Sequence, residues 1–221
     1  MKIGHILLLT ATLLASACTS ETNPLAIENT FFGCYDAETF GPLQPAAYDG
    51  LPAGCLNEVV NETFGEAGNW YKRSDSDYTI QVKNGVYFMQ SKINSNFYVY
   101  YNSLYAETDD FQVEADVDVT TTSGNATSGL NFGGKNGLDR LYFAGITADG
   151  HFLVGHIVDN TAQTPLKALT PSAAIRKGAT NRLALRFFQG RVYFFINETL
   201  VFDSDFTPYG NELGFKVGAN S

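Results

Sequence analysis

Apolar and polar residues alternate with a period of two along most of the chain after residue 77. This alternation is typical of β-strands that bury one face. Dipeptides that accept the positive φ angles of tight hairpins, Asn84-Gly85 and Asp149-Gly150, separate some of the runs, and Gln189-Gly190 is a weaker example. The pattern predicts strands over residues 78–83, 86–91, 96–101, 111–119, 128–133, 141–146, 151–158, 181–187, 191–197, 199–202 and 212–217. The regular spacing of turns, without a helical period beyond the N-terminus, predicts an all-β sandwich or barrel.

The first 18 residues form the only long apolar stretch of the chain. Lys2 gives a positive start, residues 6–14 form an apolar run, and three small residues, 15–17, precede Cys18. This order is typical of an export signal, and the apolar part is shorter than the about 20 residues of a membrane span. Small residues followed directly by cysteine resemble the signal of bacterial lipoproteins. That resemblance implies removal of residues 1–17, acylation of Cys18 and, because Thr19 follows, the outer membrane; plain secretion is the alternative.

Composition and charge narrow the class of partner. The chain has 221 residues, of which 44% are hydrophobic, and a formal net charge of −9. This length fits one large β domain or two small ones and suffices to bury a real core. An acidic chain without a basic run repels phosphate backbones, which excludes nucleic acid as a partner. The partners that we expect, on the grounds given below, are a glycan or an envelope protein, and the membrane would be contacted only through the lipid anchor.

Two further cysteines, Cys34 and Cys55, lie in a segment rich in proline and glycine, residues 31–60. An exported chain meets an oxidising compartment, where an even pair of cysteines usually forms a disulfide. Closing a loop of this size stabilises the fold by about 3 kcal/mol in the chain-entropy model. We expect a Cys34–Cys55 disulfide, with two free buried thiols as the alternative.

The chain therefore divides into a signal over residues 1–17, a polar tether and cystine segment over 18–60, and a β domain over 61–221. The domain contains in order Asn69-Trp70, FQVEADVDV, SGLNFGGKN, DRLYFAGITADGHFLVGHIVDN, NRLALRFFQGRVYFFINETLVFDSDF and ELGFKVG. This succession resembles the concanavalin A-like lectin/glucanase superfamily, in particular bacterial laminin-G-like domains. The resemblance implies an antiparallel two-sheet jelly-roll sandwich. It also implies a final strand after residues 214–218, which either the cystine segment supplies or the sheet leaves open.

An acidic ladder, Glu114, Asp116 and Asp118, is the strongest catalytic candidate. In a strand these three carboxylates share one face, because side chains alternate. The other face is apolar and should point to the core: Phe111, Val113, Ala115, Val117 and Val119. Laminarinase-like hydrolases of the same superfamily carry a comparable ladder, which implies Glu114 as nucleophile, Asp116 as its support and Asp118 in place of the acid/base. A retaining mechanism needs carboxyls about 5–5.5 Å apart, and aspartate is shorter than glutamate. A solvated acidic face is the simpler interpretation.

A second candidate surface is a strand with tyrosines on one face. Asn96, Tyr98, Tyr100 and Asn102 alternate with apolar positions, so they should lie together. Tyrosine rings stack on the C–H patches of sugars and amides bind hydroxyl groups, which makes this set a candidate glycan site. Ordinary solvated strand tyrosines are the alternative.

Metal and cofactor signals are weak. Loop acids at Asp75, Asp77 and the Asp109-Asp110 pair offer oxygens of the kind that bind calcium, and they are equally explained as solvated loop acids. His151 and His156 are five positions apart on a predicted strand, so they should face opposite sides and share no metal. The sequence contains neither a phosphate-binding loop nor a nucleophile elbow, and predicts no cofactor.

Together these features favour a non-catalytic, lipid-anchored binding module of the bacterial cell envelope with carbohydrate as its ligand. A glycoside hydrolase and a structural or partner-binding lipoprotein are the alternatives. An open cleft crossed by the acidic ladder would favour the hydrolase, and a shallow aromatic face would favour the lectin. A sheet face covered by the cystine segment would favour the structural module.

Overall fold

Two antiparallel sheets form the described part of the chain. A computed structural model describes residues 6–8, 43–51, 62–64, 70–101, 110–120 and 126–219. The strands are β1 (Ile6–Leu8), β2 (Arg73–Ser74), β3 (Tyr78–Lys83), β4 (Val86–Ser91), β5 (Phe97–Tyr101), β6 (Phe111–Asp118), β7 (Ser128–Lys135), β8 (Arg140–Ile146), β9 (His151–Val158), β10 (Thr161–Ala162), β11 (Lys167–Pro171), β12 (Asn181–Phe188), β13 (Arg191–Ile196), β14 (Thr199–Asp205) and β15 (Glu212–Val217). No helix among these residues is both long and apolar enough to cross a membrane.

The first sheet has the order β14-β13-β12-β6-β1-β4-β3-β2, and the second has the order β10-β9-β8-β7-β15-β5 with β11 beside β9. Every strand pair is antiparallel. Residues of both sheets meet in one core cluster, for example Val113 and Leu185 from the first sheet with Phe132 and Phe215 from the second. The protein is an all-β, antiparallel two-sheet jelly-roll sandwich, as the sequence predicts.

Alternation along β6 explains its place in the core. Phe111, Val113, Ala115 and Val117 are at most 5% exposed, whereas Glu114, Asp116 and Asp118 are partly exposed on the opposite face. This division of the strand agrees with the sequence-based expectation. It places the carboxylates on the outer face of the first sheet.

The predicted strands are all present, with ends that differ by at most three residues. Four strands were not predicted from the sequence. The two-residue strands β2 and β10 are too short to show a period, and β11 ends at Pro171 and carries an irregularity in its pairing with β9. The fourth, β1, lies in the apolar run assigned above to the export signal, between β4 and β6.

Tight hairpins close several strand pairs. Asn84 and Gly85 have φ angles of 55° and 72°, and Gln189 and Gly190 have 49° and 73°. Positive φ at both central residues is the mark of the type I′ turn, which fits the twist of the strands. Asn197-Glu198 and Asp159-Asn160 adopt the same conformation although neither pair contains glycine.

Residues 43–51, part of the cystine segment, lie over the outer face of the first sheet. The Arg186 guanidinium, whose residue is 2% exposed, donates to the carbonyl oxygens of Pro45 (2.7 Å), Ala47 (2.7 Å) and Tyr48. Its Nε also donates to Gln112 Oε1 at 2.7 Å. A second apolar cluster forms beneath the segment from Ala184, Phe188, Tyr193 and Phe195 with Leu43, Tyr48 and Leu200. We call residues 43–51 the cover segment; they form no strand.

Candidate functional site

A polar pocket opens on the outer face of the first sheet beside the cover segment. Its volume is about 380 Å³, and its lining residues are Asp116, Arg176, Thr180, Arg182, Asn197 and Glu198. Ligand pockets commonly measure about 300–1,000 Å³. The pocket therefore has the size of a small-molecule site.

Neighbouring strands place the central ion pair of the pocket. Asp116 on β6 lies directly opposite Arg182 on β12 in the antiparallel register. Arg182 Nε donates to Asp116 Oδ1 at 3.1 Å, and this hydrogen bond raises the pKa of Arg182 further above its ordinary value. The side chains are 42% and 18% exposed, respectively, so one side of the pair is open to solvent.

Hydrogen bonds from two asparagines, Asn181 and Asn197, fix the loops that line the pocket. Asn181 bonds the backbone of Arg176 twice, receiving its N–H at 2.8 Å and donating to its carbonyl at 3.0 Å. Asn197 Nδ2 donates to Asn181 Oδ1 at 2.8 Å and to the carbonyl of Ala174 at 2.7 Å. Asn197 Oδ1 also accepts the N–H of Arg182 at 3.0 Å. This network joins the loop after β11 to the turn between β13 and β14 and so preorganises both.

Three polar side chains of the pocket are available to a ligand. Arg176, Thr180 and Glu198 are exposed, and within the described ranges no ion pair engages Arg176 or Glu198. With Asp116 and Arg182 the pocket holds two positive and two negative groups, so its formal charge is balanced. Such a set both donates and accepts hydrogen bonds around a neutral polyol.

The acidic ladder is divided between the cover segment and the pocket. Glu114 Oε1 accepts a hydrogen bond from the Tyr48 hydroxyl at 2.7 Å and another from Gln112 Nε2. Burial, followed by this bond to Glu114, raises the pKa of Tyr48. Asp116 is engaged by Arg182, and Asp118 is partly exposed near the end of β6. Glu114, which the resemblance implies as nucleophile for the alternative hydrolase, thus bonds Tyr48 of the cover segment, and this arrangement does not favour a hydrolase.

The predicted tyrosine surface lies on the outer face of the second sheet, opposite the pocket. Tyr98 on edge strand β5 is half-buried, its ring meets the ring of Phe143 at 6.3 Å in an edge-on contact, and burial raises its pKa. Asn96 lies close by, where its Oδ1 accepts the N–H of Ala219 at 3.2 Å. For Tyr100 only the strand position, opposite Gly214, is described, and Asn102 lies outside the described residues.

The loop acids and histidines have protein partners. Asp75 accepts hydrogen bonds from Arg73 and from the backbone of Asp77 and Tyr78, and Asp110 accepts one from the backbone of Gln189. His151 lies 3.1 Å from Asp149 and His156 lies 3.2 Å from the Tyr209 hydroxyl. Across the described ranges no group of three or more metal-ligating side chains comes together. Cys18, Cys34, Cys55 and Asp109 lie outside those ranges.

Sequence reasoning missed five of the six pocket residues and named only Asp116. Arg182 is 66 positions from Asp116, and only the strand register brings them together. The sequence signal nearest to the pocket was the Asn197-Glu198 dipeptide, which indicates a turn because asparagine tolerates positive φ. The hydrogen bond between Asn181 and Asn197 could not be predicted, because residues 16 positions apart form no local pattern.

Comparisons with known proteins assign no family. No protein-family model matches the chain, and no curated protein matches it. Among solved structures it is similar to the carbohydrate-binding module CBM66 from Bacillus subtilis, with 17% identity and a TM-score of 0.45 over 66% of this chain and 89% of that one. It is also similar to sheep galectin-11 (14% identity, TM-score 0.38, 57% and 94% covered) and to Caenorhabditis elegans galectin LEC-6 (12%, 0.36, 66% and 95%). These values are too low to carry family or function to this chain.

Proposed function

We propose that the protein is a non-catalytic carbohydrate-binding module and that the pocket around Asp116 and Arg182 is its site. The observation that carries the proposal is a preorganised, charge-balanced pocket of about 380 Å³. Each sugar hydroxyl both donates and accepts hydrogen bonds, and planar carboxylate and guanidinium groups can bind adjacent hydroxyls in pairs. Arg176 and Thr180 would donate, Glu198 would accept, and the Asp116–Arg182 pair would orient the ligand.

Binding should be weak to moderate. The described lining has no aromatic ring, so apolar stacking contributes little, and solvent-exposed charges gain little from each hydrogen bond. Association also costs several kcal/mol of lost freedom. We therefore expect dissociation constants in the micromolar-to-millimolar range.

Substitution of the exposed pocket residues should separate binding from folding. Arg176→Ala and Glu198→Ala should each weaken glycan binding about tenfold, equivalent to about 1.4 kcal/mol, because each removes hydrogen bonds to the ligand. Neither side chain has an ion pair among the described residues, so the melting temperature should stay within about 2 °C. The measurement is a glycan array followed by calorimetric titration of the best glycan, with exposed Arg140→Ala on the second sheet as the control. Unchanged binding in both pocket variants would contradict the site assignment.

The tyrosine surface remains a second proposal for the same function. Asn96, Tyr98, Tyr100 and Asn102 would then bind the glycan on the opposite side of the sandwich. Tyr98→Ala combined with Tyr100→Ala tests it in the same titration. Loss of binding in this variant, with Arg176→Ala unaffected, would move the site to the second sheet.

We further propose that the protein is exported, processed after residue 17 and anchored by acylated Cys18 at the outer membrane, where it would meet envelope glycans or envelope proteins. Mass spectrometry of the membrane-extracted protein should find Cys18 at the N-terminus with a lipid mass. A soluble product with an unmodified N-terminus would contradict the anchor.

The proposed disulfide has its own test. A non-reducing digest should recover Cys34 joined to Cys55, and two alkylatable thiols would contradict the disulfide.

One observation favours a structural module as a second candidate function. The cover segment, part of the expected cystine segment, packs on the outer face of β12 and β13 and is bonded there by Arg186. The side chains beneath the cover segment are not free to contact a polysaccharide. Absence of binding on a broad glycan array, together with co-purification of an envelope protein, would favour this function.

A further inference from the structure

Glu198 occupies a turn position that glycine normally takes. Asn197 and Glu198 are the two central residues of the hairpin turn between β13 and β14, with φ angles of 47° and 68°. Such turns favour Asn-Gly, because a side chain at the second position crowds the left-handed backbone. The hairpin turn at residues 84–85 follows this preference. A strained residue that lines a pocket suggests that its side chain serves binding rather than folding.

Arg176 and Glu198 carry opposite charges on two walls of the pocket. Arg176 belongs to the loop after β11, and Glu198 belongs to the turn between β13 and β14. Asn197 Nδ2 donates to Asn181 Oδ1 at 2.8 Å and so joins the two walls, while Asn181 bonds the backbone of Arg176. In the described part of the chain neither charged side chain forms an ion pair. Both charges are therefore available to a bound ligand.

The other two charged groups of the pocket neutralise each other. Asp116 and Arg182 form an ion pair at 3.1 Å. Without Glu198 the pocket would consequently hold one net positive charge, that of Arg176. A guanidinium group binds a carboxylate through two parallel hydrogen bonds, so such a pocket would favour an acidic sugar. Glu198 cancels this net charge and repels a ligand carboxylate.

We propose that Glu198 is the specificity-determining residue of the pocket and that it selects neutral sugars over sugars that carry a carboxylate. This inference rests on the proposed carbohydrate-binding function and adds the class of ligand. Neutral hydroxyl groups donate hydrogen bonds to the Glu198 carboxylate, whereas an ionised ligand carboxylate has no hydrogen to donate. A repulsive group thus contributes to specificity beside the attractive ones.

The size of the pocket makes this repulsion effective. A sphere of about 380 Å³ is about 9 Å across, which is close to the screening length of about 10 Å at 0.1 M salt. A ligand carboxylate bound in the pocket would therefore interact with both Arg176 and Glu198. Removing one unit charge at such a distance should change the affinity for an anion by at least about threefold.

Matched pairs of oligosaccharides measure this selection. The two members of each pair share linkage and configuration (gluco, galacto or manno), and one carries a neutral hexose where the other carries the corresponding hexuronate. Calorimetric titration gives the ratio of the two dissociation constants. We expect the natural protein to favour the neutral member and Glu198→Gln to reduce this preference at least about threefold. Glutamine keeps the size of the side chain and removes its charge.

Three further variants identify the cause of the change. Glu198→Gly also removes the charge and suits the positive φ, so it should reduce the preference without lowering the melting temperature. Arg176→Gln, added to Glu198→Gln, should abolish the gain for the acidic member, because Arg176 supplies the attraction. Asp159→Asn is the matched control on the second sheet. It changes the net charge equally at another positive-φ turn, its side chain is 70% exposed, and it should leave the preference unchanged.

The outcomes separate this inference from the function on which it rests. If the natural protein binds the neutral members and both Glu198 variants keep the same preference, selection by Glu198 is overturned and the proposed function stands. An equal change in Asp159→Asn would also overturn it, because the effect would then come from the net charge of the chain. No binding of either member of any pair would overturn the proposed function, and this inference with it.

Discussion

Replacing Arg186 by methionine is expected to detach the cover segment and to lower the free energy of unfolding by about 3 kcal/mol. The guanidinium donates to three backbone carbonyls of the cover segment and to Gln112, and it lies 5.0 Å from the centre of the Phe195 ring. Hydrogen bonds from a charged donor contribute about 1.5–3 kcal/mol each. Burial lowers the pKa of Arg186 to about 10, so the group stays charged at neutral pH but loses solvation. The free-energy cost of this lost solvation offsets part of the stabilisation that the four hydrogen bonds contribute.

Urea denaturation and hydrogen exchange together measure this effect. Amides of residues 43–51 should exchange faster in Arg186→Met than in the natural protein, and the urea midpoint should fall. Arg140→Met is the matched control, because the Arg140–Asp159 pair is largely exposed and should contribute at most about 1 kcal/mol. A loss below 1 kcal/mol with unchanged exchange in the cover segment would show that Arg186 does not hold it.

Strands and turns could be predicted from the sequence because their signals are local. A period of two over β6 or β9 is visible in eight consecutive residues. The two residues Asn84 and Gly85 are by themselves enough to predict a turn. The register between strands has no such local signal. It decides that Asp116 meets Arg182, so the pocket could not be predicted although each of its strands could.

The environment of side chains on the outer sheet faces could not be predicted from the sequence either. Glu114 was expected to be either catalytic or solvated, because alternation places it away from the core. It instead bonds Tyr48, which reaches it from a segment 66 positions earlier that has no secondary-structure period. The sequence of a segment without periodicity does not predict which sheet face the segment will cover. The same lack of a local signal left β2 and β10 unpredicted.

Lys216 is the clearest case of a polar residue whose environment alternation does not predict. Its neighbours Phe215 and Val217 face the core, so Lys216 faces the outer side of the second sheet, where a lysine is normally solvated. The residue is nevertheless only 5% exposed. Its Nζ donates to the Thr127 carbonyl and to Thr127 Oγ1 (3.1 Å), and it lies 5.0 Å from the centre of the Phe143 ring. Gly155 makes room for that ring, because a Cβ there would lie 2.5 Å from it.

Replacing Lys216 by methionine is expected to remove a large pH dependence of stability. Burial lowers the pKa of Lys216 from 10.5 to about 7 in the folded protein. Between these values the unfolded chain binds a proton that the folded chain does not, so stability rises with pH by about 1.4 kcal/mol per pH unit. Below about pH 7 both states are protonated and the contribution is constant. Relative to Lys216→Met, the natural protein should therefore gain stability from pH 7 to pH 9.

Urea denaturation at several pH values tests this difference directly. Among the titratable side chains of the neighbouring strands β5 and β7, Tyr98 lies directly opposite Lys216, and burial raises its pKa, so it stays neutral in the folded protein over the tested range. Its effect on the unfolded chain is the same in both proteins and cancels in the comparison. Exposed Lys83→Met is the matched control and should follow the pH profile of the natural protein. Parallel profiles for Lys216→Met and the natural protein would mean that the ammonium stays protonated in the fold, with Thr127 and the Phe143 ring compensating for its burial.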